Sequence, residues 1–376
     1  MRTTFPLFRA ALLLALFPAA LLAQEPTAAG SAPVAEAPAQ APVVRDPTHY
    51  QAQVELRSQG AAERRAAAAR ALGQVLVKLT GQQRATGNPV VRRALGSAES
   101  MVVDSRGTET VSDQQGNTAI GGVPVYKTLM TFVFDPALVD ALVAGAGLPY
   151  WGGGRPRPLL WLAIDDGRGA RLVNSQQLAV VKPLASRGLE RGLRFGLPAG
   201  SAVEQAAVQT IWAQTPAPML PLSARYGEQM QLLGRVYRSN TGWTADWVLS
   251  SGDTELSRWT FSDPSPQRAI ASGADGAADA ISRRDARALD VGQPGTLVIA
   301  VGGLRSASDY NRALGYLQKL AVVRSVTVLA AEPDQVSVQL DLAVGPEGFA
   351  RFVGAGGTLQ ADPLASEDAP RYLLRQ

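Results

Sequence analysis

The spacing of apolar residues changes period along the chain, and each change predicts an element. Between Ala61 and Leu79, Ala68, Leu72, Val75, Leu76 and Leu79 recur at helical spacing, while Glu63, Arg64, Arg65, Arg70 and Lys78 fall largely elsewhere. This predicts an amphipathic helix whose Ala-rich face lies close on a sheet and which stops at Gly81. Val54-Glu55-Leu56 ends a short strand before it. Strands are predicted over Met101–Asp104 and Val125–Phe134, with Tyr126, Met130, Phe132 and Phe134 on one face and a polar loop, SDQQGNTAIGG, between them. Asp135-Pro136 then starts a helix, because Asp accepts from orphan N–H groups and Pro at the first helical position has none to waste. That helix ends at Gly145-Ala-Gly147.

Three Gly and two Pro between Tyr150 and Pro158 break the pattern, and a domain boundary is placed there. Beyond it, Leu159–Ile164 is a continuous apolar run typical of an inner strand. A helical stretch follows from Ser175 to about Arg191, interrupted or kinked by Pro183. A short strand is expected at Arg194–Leu197, a helix at Ala202–Gln214 and a further one at Ser223–Gly227. Three meander strands (231–238, 243–249 and 255–261) lead to a long helix from Pro266 to Leu289. The last stretch reads as βαββαβ, with strands at 296–301, 322–329, 335–342 and 358–360 and helices at 307–320 and 346–353. This is the ferredoxin-like order.

The fold class is therefore α+β and multi-domain: small α/β sandwich units with mixed sheets and a C-terminal ferredoxin-like unit. The expected domains are residues 47–150, 158–290 and 295–364. Ahead of them, Met1–Ala23 has a basic start (Arg2, Arg9), an apolar run from Ala10 to Leu22 and a small-residue exit, the form of a secretory signal peptide. Residues 24–46 are rich in Ala and Pro and read as a solvated tether. No later stretch reaches membrane-spanning length, so the mature chain carries no integral membrane segment and the expected location is the periplasm.

Composition narrows the chemistry. Across 376 residues there is no Cys and a single His, His49. That excludes disulfides, thiolate chemistry, Cys-ligated metals and a lipid anchor on an N-terminal Cys; the lone His is read as a boundary residue. The formal charge of +4 falls to +2 once Arg2 and Arg9 leave with the signal peptide, which offers no general attraction for nucleic acid. The GxG fragments at 145–147, 167–169 and 354–356 lack the third Gly of a dinucleotide loop. G-x-S-x-G and S-x-x-K are absent. No cofactor and no metal is implied.

Candidate contacts remain. Asp165 and Asp166 follow an inner strand, where open α/β sheets place ligands; they could hold a cation or share acid/base work, or simply form a turn. Tyr150 and Trp151 are either a stacking platform or domain-interface packing. Trp243 and Trp247 share a strand face and are either core or, if uncovered, a protein or glycan contact surface.

Several short blocks in order, Arg70-Ala-Leu72, Val75-Leu-Val-Lys-Leu-Thr-Gly81, Thr131-Phe-Val-Phe-Asp135, Leu148-Pro-Tyr-Trp-Gly152, Arg155-Pro156, Leu160-Trp-Leu-Ala163, Arg187-Gly-Leu189 and Leu197-Pro198, resemble a family of exported proteobacterial proteins, domain of unknown function 2066, over about residues 48–290. The resemblance implies export and a shared fold and supplies no catalytic residues. More loosely, Ala224-Arg-Tyr-Gly227 leading into Leu232-Leu-Gly-Arg-Val236 is similar to small α/β domains of envelope proteins that bind other proteins. The expected function is a non-catalytic periplasmic binding or assembly factor with another envelope protein as partner. The alternatives are a carboxylate-dependent hydrolase of glycan or peptide using Asp165 and Asp166, and a small-ligand binding protein with a pocket lined by Tyr150, Trp151 and Trp161.

Overall fold

The computed structural model describes residues 45–111, 126–240, 242–289, 291–355, 357–366 and 369–375. The expected signal peptide, nearly all of the tether and the polar loop near 113–122 lie outside them. The described chain is α+β, with three separate sheets and helices packed on them.

The first sheet has the order β1-β3-β2 and is antiparallel throughout: β1 (Gln51–Leu56), β2 (Val102–Val111) and β3 (Tyr126–Phe134). Helix α1 (Ala61–Thr80) lies on it through the predicted face, with Ala67, Ala68, Ala71, Leu72, Val75, Leu76 and Leu79 wholly buried. Alanines at this contact let the helix backbone approach the sheet, where Phe132 and Phe134 fill the space beneath. After α2 (Pro89–Leu95), α3 (Pro136–Gly145) begins as expected, the Asp135 carboxylate accepting from the Ala137 N–H at 2.8 Å.

The second sheet runs β5-β4-β6-β7-β8, with β4 (Leu159–Asp165) and β6 (Met230–Ser239) parallel and the other neighbours antiparallel. Strand β4 is apolar on both faces because both are covered. Leu160 and Leu162 join a cluster under α4 (Leu178–Glu190) and α8 (Pro266–Asp285), and Leu159, Trp161 and Ala163 join a second with Val208, Ile211 and Met219. Helix α4 continues through Pro183. Strand β5 (Arg171–Val173) was not anticipated, being three residues long. The expected strand at 194–197 is a single bridge from Gly196 to Leu159, and the expected helix at 202–214 is two, α5 (Ala202–Ala206) and α6 (Val208–Trp212). They part at Ala207, whose N–H bonds back only three residues to Glu204, the tighter turn that ends an α-helical ladder. Around 220–226, α7 (Leu220–Ser223) runs into a 3₁₀ turn.

Strands β6, β7 (Gly242–Ser251) and β8 (Thr254–Asp263) form the predicted meander. Trp247 of β7 stacks on Trp259 of β8 with ring centroids 6.4 Å apart, and α8 closes over them. The helix can do so only because it is glycine where the indoles press. A Cβ at Gly273 would stand 2.7 Å from the Trp247 ring and one at Gly276 2.2 Å from Trp259.

The third sheet contains β9 (Gly295–Gly302), β10 (Val323–Ala331), β11 (Gln335–Leu342), β12 (Leu359–Ala361) and β13 (Arg371–Leu374), with α9 (Ala307–Lys319) and α10 (Pro346–Ala355). The predicted βαββαβ succession is present, but the order is β10-β11-β9-β13-β12. In a ferredoxin-like sheet the fourth strand would lie beside the first. Here β13 takes that place, parallel to β9, and holds the three-residue β12 outside it. The buried residues of the first and third sheets form one continuous apolar cluster, with α10 packed on α3.

Trp247→Ala should cost about 3–5 kcal/mol of unfolding free energy, and Gly276→Ala about 1–3 kcal/mol through overpacking. Chemical denaturation of each variant measures this.

Candidate functional site

The C-terminal end of α1 positions the most distinctive polar feature of the described chain. A helix end leaves its last carbonyls without partners, and here three different groups satisfy them. The Trp151 N–H donates to the Leu79 carbonyl at 2.6 Å, Arg155 Nη2 to that of Lys78 at 2.7 Å and Arg191 Nη2 to that of Gly81 at 2.9 Å. Gly81 itself adopts φ +69°, the left-handed stop predicted for it.

The Arg155 guanidinium carbon lies over the Trp151 ring, 3.9 Å from its centroid, and Nη1 also donates to the Gly192 carbonyl at 3.1 Å. Gly192 has φ +74°, and a Cβ there would stand 2.0 Å from Arg155 Nη1, so the arginine can lie in this position only over a glycine. Arg191 is fully buried and ion-paired with Asp275 at 2.6 Å and Asp279 at 2.5 Å of α8.

Beside this junction opens a cleft of about 660 Å³. Its walls come from the 3₁₀ turn Pro47–Tyr50, β1, α1 and the segments 154–157 and 189–194. Lys78, Arg155, Arg157 and Arg194 line it against one carboxylate, Asp46; Thr48, Gln51, Gln53 and Thr131 add neutral polar groups. Asp46 also caps the 3₁₀ turn, accepting from the Thr48 hydroxyl and N–H, which holds its carboxyl below the usual range.

The cations crowd one another. Burial, with Arg155 nearby, pulls Lys78 down to about 8, and burial pulls Arg155 down to about 10. Lys78 Nζ donates to the Gln51 carbonyl at 2.7 Å. Arg157 and Arg194 are exposed and make no salt bridge or hydrogen bond to any described residue. His49 is buried, and desolvation, followed by Arg155, pulls it down to about 4 despite Asp46 at 3.7 Å; it is neutral at neutral pH.

None of the candidate contacts singled out from sequence lines the cleft, though Trp151 belongs to the junction beside it. Tyr150, Trp151 and Trp161 are all buried and belong to three different apolar clusters, so they do not line one pocket. The Tyr150 hydroxyl meets that of Tyr50 at 2.9 Å, and Tyr50 in turn donates to Asp140, which also pairs with Arg45. Trp247 is covered by α8 and donates to Ser272 at 3.0 Å, whereas Trp243 is half-buried with the Arg238 guanidinium 5.3 Å from its ring.

Asp165 accepts from the Gly167 and Gly169 N–H groups at 2.8 and 3.0 Å, and Asp166 forms a two-point pair with Arg171 at 3.0 Å. Both carboxylates thus serve the β4–β5 turn. Among the described residues no three His, Asp or Glu gather as metal ligands would. The sequence places His49 at a domain boundary and does not single out the basic cluster. The usable signal was two arginine pairs, Arg155/Arg157 and Arg191/Arg194, at chain breaks rich in Gly and Pro.

Residues 47–152 match a family model described as a domain of unknown function (DUF8605). The matched span supplies the His49, Gln51, Gln53, Lys78 and Thr131 wall of the cleft. An uncharacterised domain is what the sequence resemblance implied, but the family matched is this one and not domain of unknown function 2066. No curated protein matches the chain. A solved structure, TolB from Acinetobacter baumannii, is similar at 13% identity over 40% of this chain and 33% of that one, with a TM-score of 0.19. The match therefore spans about a third of that protein, at a score from which neither fold nor function transfers.

The position of His49 makes stability pH-dependent. Its folded pKa lies below the unfolded value of 6.5, so the unfolded state takes up the proton first and stability falls as pH drops from about 6.5 towards 4. Replacing it in a His49→Gln variant should remove at most about 2–3 kcal/mol of the difference in unfolding free energy between pH 7 and pH 4.5. Denaturant titrations at the two pH values check this.

Proposed function

We propose that this protein is an exported, non-catalytic binding or assembly factor of the cell envelope and that the basic cleft is its contact surface. One observation carries the reading: three cations, Lys78, Arg157 and Arg194, face an open cleft with one carboxylate among its lining residues. Like charges gathered in one cleft repel one another and attract a ligand of opposite sign. The other polar groups at this place support binding over turnover. Arg155 is committed to backbone carbonyls, and His49 is held neutral by burial, a weak base at neutral pH.

Asp165 and Asp166, the acids a hydrolase would need, are bonded within their own turn. The basic leader and small-residue exit at 1–23 support export, and no helix among the described residues is long and apolar enough to cross a membrane.

A photo-crosslinking residue in place of Leu189, which lines the cleft and is 54% exposed, tested in intact cells, should give an adduct with an envelope component, and the same residue at Arg168, on the exposed β4–β5 turn, should not. Equal yields at both positions, or recovery of the protein from the cytoplasmic fraction, would overturn the proposal.

A further inference from the structure

The chemistry of the cleft specifies its ligand more closely, on the reading that the cleft is the contact surface. Arg157 and Arg194 stand on two segments held side by side, the Gly196 N–H donating to the Pro158 carbonyl and the Leu160 N–H to the Gly196 carbonyl, both at 2.9 Å. Their guanidinium groups are exposed and unbonded to described residues, so their donors are available to a ligand. Lys78 comes from α1, beneath Gly192: a Cβ on that glycine would stand 3.6 Å from the Lys78 Cβ. Three cations from three segments therefore line one cleft, and one further acid, Glu190, acts on Lys78 from α4.

A carboxylate carries one charge and two acceptor oxygens. A phosphate ester carries about −1.5 to −2 near pH 7 and three acceptor oxygens, which suits three cations better, and arginine forks bind it in a two-point fashion. The rest of the wall is of a different character. Gln53 and Thr131 are register partners on β1 and β3, their side chains 3.5 Å apart, and Gln51 precedes them on β1. Amide and hydroxyl groups in such a strip match a molecule rich in hydroxyls; among the described residues no Phe, Tyr or Trp lines the cleft, and Leu189, Leu193 and Pro156 supply its apolar contacts.

We infer that the cleft binds a sugar phosphate, with Arg157 and Arg194 on the phosphate, Lys78 beneath it, and Gln53 and Thr131 on the sugar hydroxyls. Titration calorimetry of the full chain with glucose 1-phosphate, inorganic phosphate and glucose tests this. Glucose 1-phosphate should bind, inorganic phosphate should bind more weakly and glucose alone should not. Replacing both arginines (Arg157→Gln with Arg194→Gln) should weaken glucose 1-phosphate binding about tenfold or more. The melting temperature should not fall, since neither side chain makes an internal hydrogen bond or salt bridge and their removal relieves like-charge repulsion in the cleft. Thr131→Val should weaken glucose 1-phosphate and leave inorganic phosphate unchanged.

Glucose 1-phosphate binding no tighter than inorganic phosphate would overturn the sugar assignment, and unchanged binding by the double arginine variant would overturn the site. If neither anion binds while the in-cell adduct at position 189 persists, the ligand class falls and the contact surface stands. Loss of that adduct removes the surface itself.

Discussion

The arrangement of the described chain depends on how the C-terminal end of α1 is satisfied. The end of a 20-residue helix presents carbonyl oxygens and the negative end of its dipole, and buried carbonyls must find donors. Those at Lys78, Leu79 and Gly81 are met by Arg155, the Trp151 backbone and Arg191. All three donors come from later in the chain, beyond the first sheet. The helix end is therefore where the first sheet is fastened to the segment that enters the second and, through Asp275 and Asp279, to α8. Satisfying these carbonyls from within the first unit would have left no such fastening.

The same requirement explains why the cleft is basic. Cations are brought to this place by the helix end. Arg155 is used up by carbonyls and by the Trp151 face, and its presence lowers the basicity of Lys78 and His49. Arg157 and Arg194 lie two residues beyond Arg155 and Gly192, and backbone pairing across 158–160 and 196 keeps them at the mouth of the cleft. Structure accounts for Arg155 and Arg191. Arg157 and Arg194 make no salt bridge or hydrogen bond to a described residue; Arg157 lies beside Gly196, and Arg194 acts on the Asp46 carboxylate only through its charge.

Periodicity made most elements legible because most are amphipathic. The Ala68/Leu72/Val75/Leu79 face, the Asp135-Pro136 start, the apolar run of β4 and the alternation of β11 each reflect a covered surface, and each was readable to within a few residues. Helix α2 escaped although Asn88-Pro89 caps it locally; the rest of what escaped was set by tertiary pairing. Strands β5 and β13 are too short to show a period and exist because β4 and β9 have edges to fill. The break between α5 and α6 has no Gly or Pro to announce it. The cleft was illegible for a related reason: His49, Lys78, Arg157 and Arg194 are scattered over nearly 150 positions, and only the fastening at the end of α1 brings them together. The conspicuous aromatics pointed the other way, because Tyr150, Trp151, Trp161 and Trp247 serve as core.

Crowded cations have a consequence that links stability to binding. A lysine pulled down to about 8 and a histidine pulled down to about 4 mark a place where the empty protein resists further positive charge. An anion placed among them reverses that resistance, stabilising the charged lysine and offsetting its desolvation. By linkage, a ligand that raises the basicity of these groups binds more tightly as they take up protons, and it stabilises the folded chain by the same coupling. Asp46 limits the effect, since it already balances part of the charge beside His49 and holds the 3₁₀ turn through Thr48. The cleft keeps its one lining acid for its own turn, so Lys78, Arg157 and Arg194 outnumber the carboxylate among its lining residues, and the proposed contact rests on that excess.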